Sequence, residues 1–425
     1  MSAVAPIELT ELGEPVEVSL TTDQARLLAA SGVVSVVPTL DRPGQWLVGP
    51  AGKVGTARIG NLIVRITPKV EIARLLFLLG YSAHGSTWQP SAVDLGTAAD
   101  LVPAIAAALW RQLARAIHQG LLPGYVTVEE SSPVLRGRLR ESAQLAVRHG
   151  LPLPLEIRHD EFTVDIGENQ ILRTAAERML LVPRVDDESR RMLRRLLRDF
   201  ADVSSIPRGD PIPAWQPIRL NARYHAALRL AELVLRATSV EHAVGTVAVN
   251  GFLIDMPRLF QDFVTVALRE ALEGAYGGYV AAEPLHHLDE AGRVRLYPDI
   301  VWHVDGSPAA VIDAKYKAEK PRGYPNADLY QLLAYCTVLG LGSGHLVYAR
   351  GNEEPMRHVV RGAGIEVVCH ALDLDQPPGA LLAEVRELAG QLSPVRPSRA
   401  MSTTVDLRQL EAVAAAAGRT GPVRL

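Results

Sequence analysis

The sequence predicts an α+β chain of several domains. A β-rich N-terminal domain spans residues 1–96, a mostly helical middle region 97–249, a C-terminal α/β domain 250–395, and a tail 396–425. Three observations carry this reading. The chain has 425 residues, whereas single cores stop growing at about 250–300. The hydrophobic pattern changes along the chain, from short β-type runs to helical periodicity and then to a mixture of both. Finally, Ser204–Pro217 holds Pro207, Pro211, Pro213 and Pro217 and reads as an extended connector ahead of the last block.

In the first region one short helix is expected after Thr21-Thr22, whose hydroxyls suit an N-cap. Leu62-Ile63-Val64-Arg65-Ile66 reads as a strand that Pro68 limits. The middle region shows an amphipathic helix over Leu101–His118, another over Asn169–Leu181 and an arginine-rich one over Ser189–Phe200. Beyond Gly251 the order is helix, strand, strand, helix, strand, strand, with a last helix near Leu381–Leu392. Asp255 can cap the first of these helices, which admits Pro257 in its first turn. Phe260, Phe263, Val264, Ala267, Leu268 and Ala271 mark its apolar face, and Gly274, Gly277 and Gly278 its end.

Composition excludes several classes. Hydrophobic residues make up 48% and aromatics 5%, so Leu, Val and Ala must fill the core. A net charge of −3 gives no whole-surface attraction for nucleic acid, though a local basic track remains compatible with it. Two cysteines, Cys336 and Cys369, can form neither a zinc knuckle nor a disulfide framework. No signal peptide is evident, and the apolar run Leu75–Tyr81 is too short to cross a bilayer. A cytoplasmic location and no membrane partner are the expectation.

The chemistry concentrates in Tyr297–Tyr316, where two β-type runs flank Asp305-Gly306-Ser307. If the loop is those three residues, Gly306 is the pivot and Asp299 faces Asp313, with Cβ atoms roughly 4.5–5.5 Å apart. A two-residue turn would instead set Asp299 against Ile312. Facing carboxylates repel, and a divalent cation compensates; oxygen ligands suit Mg²⁺ or Mn²⁺. Alternation places Lys315 on the face of Asp313, where an ammonium can orient water or stabilise charge on a phosphate. Metal ligands Asp299 and Asp313 with catalytic Lys315 are apparatus for phosphodiester hydrolysis. On the next helix Leu329, Leu332, Leu333, Cys336 and Leu339 form a core face, while Gln331 and Tyr335 share a polar-edged side at i, i+4.

These motifs resemble the PD-(D/E)xK (restriction-endonuclease-like) nucleases. A Gln-x-x-x-Tyr helix after Asp-x-Lys is similar to their RecB-like branch, and adds Gln331 and Tyr335 to the site. Phe252–Tyr335 resembles the catalytic domain of the McrC family, the nuclease partner in McrBC modification-dependent restriction. The marks are Asp255-Met256 with Leu259-Phe260, Pro298-Asp299, Ile312-Asp313-Ala314-Lys315-Tyr316-Lys317, and Asp328-Leu329-Tyr330-Gln331 through Tyr335. Upstream, Ile66-Thr67-Pro68-Lys69, Leu135-Arg136-Gly137-Arg138-Leu139 and Glu161-Phe162-Thr163-Val164-Asp165 resemble the family too. One departure matters: McrC-like chains tend to read Phe-Glu where this sequence has Phe260-Gln261. Glutamine brings no charge and leaves the third metal ligand open.

The resemblance implies a Mg²⁺-dependent endonuclease acting on methylated double-stranded DNA. It implies a hexameric McrB-like AAA+ GTPase as partner, contacted and stimulated by the β-rich N-terminal region. Rival readings are a RecB-like nuclease serving another helicase and a non-cutting adaptor that only activates the ring. Weaker signals add little. Arg190, Arg191, Arg194, Arg195 and Arg198 form a stripe read first as a solvated helix face. Gly49-Pro50-Ala51-Gly52-Lys53 is too short for a phosphate loop, with Val54 where Ser or Thr is needed. His286-His287 has no partner at ligand spacing.

Overall fold

The structure, a computed structural model, describes residues 6–39, 41–87, 100–149, 151–238, 249–316, 326–349 and 356–392. The expected 96/97 boundary and the tail 396–425 lie outside the described residues. The N-terminal part contains β1 (Ile7–Thr10), β2 (Val16–Ser19), α1 (Thr22–Ala30), β3 (Val34–Pro38), β4 (Gln45–Pro50), β5 (Lys53–Ile59), β6 (Leu62–Thr67) and α2 (Ile72–His84). Thr21 caps α1 as its hydroxyl predicts, and Gln24 answers it in a closed capping box. Strands pair in the order β2-β4-β3 in one sheet, while β6 lies between β1 and β5 in another. The expectation of a single short helix here is incomplete. Leu75–Tyr81 is the centre of α2, where Leu75, Leu76, Phe77, Leu78 and Tyr81 are all buried. Its buried residues run consecutively from Leu75 to Leu78, while Ala73 stays exposed and Leu79 half-buried. No helix among the described residues is long and apolar enough to cross a membrane.

The middle region comprises α3 (Leu101–Ile117), β7 (Gly124–Ser132), β8 (Arg138–Leu139), α4 (Glu141–Arg148), β9 (Leu155–Thr163), α5 (Gly167–Leu181), α6 (Asp187–Leu196) and α7 (His225–Thr238). Alongside the expected helices it carries an antiparallel sheet, β7-β9-β8. Neither long strand buries a continuous face, so no clean apolar alternation marks them. Cross-strand pairs such as Thr127–Asp160, at 2.8 Å, join them instead. On α6, Leu193 and Leu196 are buried while Arg191, Arg194 and Arg195 face outward. Arg190 donates to the Leu180 and Val185 carbonyls.

The last block comprises β10 (Val249–Asp255), α8 (Met256–Tyr276), β11 (Tyr279–Ala282), β12 (His286–His287), β13 (Arg295–Leu296), β14 (Ile300–Val304), β15 (Ser307–Lys315), α9 (Asn326–Leu339), β16 (Ser343–Ala349), β17 (Met356–Val359), β18 (Glu366–Leu372) and α10 (Pro378–Leu392). Asp255 caps α8 by accepting from the Arg258 N–H at 3.0 Å, with Pro257 in the first turn. A mixed sheet runs β11-β14-β15-β16-β18-β17, with β15, β16 and β18 parallel. Residues of α8 and α10 share the main core with Ile300, Trp302, Ile312 and Ala314 of one sheet face. A smaller core joins α9 to Val301, Val311 and Leu346 of the other face and buries both cysteines, Cys336 and Cys369.

The sheets at the two ends of the chain are tied together. β10 runs antiparallel to β5 from Val249↔Ile59 to Asp255↔Lys53, extending the N-terminal sheet to β1-β6-β5-β10. Gly55, at φ +121°, permits this approach; a Cβ there would strike the Phe252 carbonyl. Phe77 and Tyr81 of α2 pack on Phe263 of α8, with ring centroids 6.1 and 5.6 Å away. One continuous core thus extends from the first sheet to α10.

Candidate active site

The hairpin reaches the expected opposition of Asp299 and Asp313 by another route. The loop is two residues, not three: Val304 pairs with Ser307, and Asp305 and Gly306 both have positive φ (50° and 77°), the conformation a tight hairpin turn requires. That turn alone would set Asp299 against Ile312. The register then shifts between His303↔Pro308 and Trp302↔Ala310, leaving Ala309 as an extra residue on β15. Beyond this bulge Ile300 pairs with Ile312, and the next positions are Asp299 and Asp313.

Asp313 is 1% exposed. Its Oδ2 lies 2.5 Å from Lys315 Nζ, yet makes no aligned hydrogen bond. Asp299 Oδ2 accepts from the Ala314 N–H at 2.8 Å, and Oδ1 accepts from Gln261 Nε2 at 2.9 Å. Burial, followed by the neighbouring Asp313 charge, pushes the Asp299 carboxyl up to about 7. Burial also raises Asp313, against the pull of Lys315. Lys315 Nζ donates to Gln331 Oε1 at 3.0 Å, Gln331 Nε2 to Tyr335 Oη at 2.8 Å, and Tyr335 to the Tyr297 carbonyl at 3.1 Å. The five residues singled out by sequence, Asp299, Asp313, Lys315, Gln331 and Tyr335, therefore meet in one chain of contacts. Tyr335 departs in one respect from its expected polar edge: its ring is 3% exposed in the smaller core, and only its hydroxyl serves the site.

Sequence reasoning missed Glu283. It accepts from Gln261 Nε2 at 2.9 Å and from Arg258 Nη1 at 2.5 Å. Two carboxylate neighbours fix the Gln261 amide with its nitrogen toward them. A Glu before Pro284 reads in sequence only as the end of a strand.

Two facing carboxylates, one with a buried oxygen lacking an aligned donor, fit a hard divalent cation. Among the described residues, no group of three His, Cys, Asp or Glu side chains is placed to hold a metal. The amide at position 261, where an acid was expected, accounts for the missing third charge.

Fold and site define a mixed α+β protein of several sheets, with a carboxylate–lysine constellation on the central hairpin of its C-terminal sheet. The chain belongs to the McrC family of McrBC restriction components: the model of the McrBC 5-methylcytosine restriction system component matches residues 50–349. Its fold is similar to a chain in the refined half-complex of Thermococcus gammatolerans McrB AAA+ hexamers with bound McrC. The two are 19% identical, the match covers 92% of this chain and 100% of that one, and the TM-score is 0.58. A chain of the cryo-EM Thermococcus gammatolerans McrBC complex is 18% identical, with 63% and 88% covered and a TM-score of 0.37. No curated protein sequence matches.

Proposed function

We propose that this chain is the DNA-cutting component of a modification-dependent restriction complex. The observation that carries the reading is the pair of half-buried Asp299 and buried Asp313, unfavourable alone, beside the ammonium of Lys315. Asp299 and Asp313 would hold Mg²⁺ or Mn²⁺, which supplies a Lewis acid and lowers the pKa of a coordinated water. Ala314 N–H and Gln261 orient Asp299. Gln331, braced by Tyr335, holds Lys315 where positive charge can meet the phosphate.

The N-terminal sheets would contact and stimulate a hexameric McrB-like AAA+ GTPase, residues 97–249 would connect, and 250–395 would cut. The ring would deliver methylated double-stranded DNA to a near-neutral chain with little grip of its own. The site of action is cytoplasmic. Membership in a restriction family and the McrB-bound assembly containing the similar fold support this partner. Gln261 favours a second reading, an adaptor that activates the ring without cutting.

Asp313→Ala decides between them. Plasmid cleavage with Mg²⁺, ring and GTP should vanish while cooperative unfolding persists. Unchanged cleavage by the purified variant would remove the assignment, whereas a wild-type chain that stimulates GTP hydrolysis by the ring and cuts nothing would leave the adaptor.

A further inference from the structure

Glu11, immediately after β1, is 2% exposed and stands 305 positions from the residue it bonds. Its Oε1 accepts from the Tyr316 hydroxyl at 2.6 Å, and its Oε2 from the Lys69 N–H at 2.9 Å. Its own N–H donates to the Thr67 carbonyl at 2.9 Å. Both carboxylate oxygens and the backbone of Glu11 are thus fixed at the end of the first sheet. Tyr316 directly follows Lys315, and its ring rests on buried Phe260 with centroids 5.9 Å apart. Successive residues of a strand point to opposite faces. Fixing the Tyr316 ring on the α8 side therefore restrains the backbone that presents Lys315 on the α9 side. Without that anchor, the end of β15 has the ladder to β16 at Lys315↔Tyr348 and the long ammonium contacts to steady it.

We propose that Glu11 and Tyr316 form a positioning link through which the N-terminal sheet sets Lys315 in the cutting site. The link rests on the reading of Lys315 as the lysine of that site. It brings together two sequence marks far apart in the chain, Thr67-Pro68-Lys69 and Lys315-Tyr316, and gives each a physical task. Neither Glu11 nor Tyr316 touches the reacting atoms; both act through Lys315.

The test is made on the full chain with Tyr316→Phe, Glu11→Ala and Glu11→Gln, each first shown to unfold cooperatively. The chain has five lysines, so reductive methylation read by mass spectrometry resolves Lys315 against Lys53 as internal reference. Tyr316→Phe and Glu11→Ala should raise Lys315 labelling roughly tenfold, on the order expected for losing one charge-assisted bond. Glu11→Gln keeps one acceptor oxygen for the hydroxyl but turns its N–H2 toward the Lys69 N–H, so labelling should fall between wild type and Glu11→Ala; Glu11→Leu, which keeps bulk without an acceptor, should label like Glu11→Ala. The double variant Glu11→Ala/Tyr316→Phe should be no worse than the more affected single variant. In Mg²⁺-dependent plasmid cleavage with ring and GTP, Tyr316→Phe and Glu11→Ala should lose about 10- to 100-fold in kcat at unchanged KM. Lys315 labelling equal to wild type in both Tyr316→Phe and Glu11→Ala would overturn the link. A wild-type chain that cuts nothing would instead count against the nuclease reading, while labelling still decides the link.

Discussion

Replacing Asp299 with asparagine should strengthen the metal-free fold and abolish cleavage, and the size of the gain should depend on pH. The Asp299 carboxyl rises from 3.8 to about 7, so at about 1.4 kcal/mol per pH unit its ionisation costs the fold about 4 kcal/mol. The folded chain holds this proton more tightly than the unfolded chain. Its contribution is therefore complete below pH 3.8 and is lost as pH rises through about 7. About 2 kcal/mol is gone by pH 5 and about 4 by pH 8. Asparagine carries neither charge nor titration. It would, however, turn one N–H toward the Ala314 or Gln261 donor, at a cost of about 1 kcal/mol. The net advantage should be about 1 kcal/mol at pH 5 and about 3 at pH 8. Urea unfolding with EDTA at the two pH values measures it. An advantage that is equal at both, or a more stable wild type at pH 8, would show that burial and the Asp313 charge do not hold the Asp299 carboxyl above its ordinary range.

Three further outcomes follow from the site and the core behind it. Gln261→Glu places a carboxylate between Asp299 and Glu283 and should tighten Mn²⁺ binding roughly tenfold by calorimetry, since charge count sets affinity at oxygen sites. Tyr335→Phe removes the hydroxyl between Gln331 and the Tyr297 carbonyl. It should cost about 1 kcal/mol in urea unfolding and slow cleavage without changing KM for DNA. His345 and His370, in hydrogen-bond contact at 3.0 Å, are held neutral chiefly by burial, pushed down to about 3 and about 4. Their contribution is complete above pH 6.5 and is lost as pH falls from there toward 3–4. Stability should drop by about 3 kcal/mol between pH 7.5 and 5.5; His370→Gln should roughly halve that drop in pH-dependent denaturation.

The sequence exposes what local chemistry decides. The Thr21 cap, the Asp255-Met256-Pro257 start of α8, and the hairpin with its lysine all announce themselves through short-range rules. What depends on distant neighbours stays hidden. Leu75–Tyr81 does not declare its helix because its buried residues, Leu75 to Leu78, are consecutive rather than spaced at a helical period. β7 and β9 bury no continuous face, and Pro308, beside the bulge at Ala309, was the one local sign of the register shift. The opposition of Asp299 and Asp313 was legible, although the loop length supposed to produce it was not. Glu283 and Glu11 become visible only when the chain returns to bring Gln261 and Tyr316 beside them.

The strand β10 also sets a clock for synthesis. Ile59 and its partner Val249 are 190 positions apart. At about 5–20 residues per second, the ribosome needs between about 10 and 40 s to deliver the missing neighbour of β5. Through that interval β5 has β6 on one side only and offers an open edge to any other nascent chain. Slower elongation lengthens the exposure, and a chain stopped before residue 249 would never end it. The sheet that holds the first strand of the chain closes only after β7-β9-β8, begun much later, is already complete.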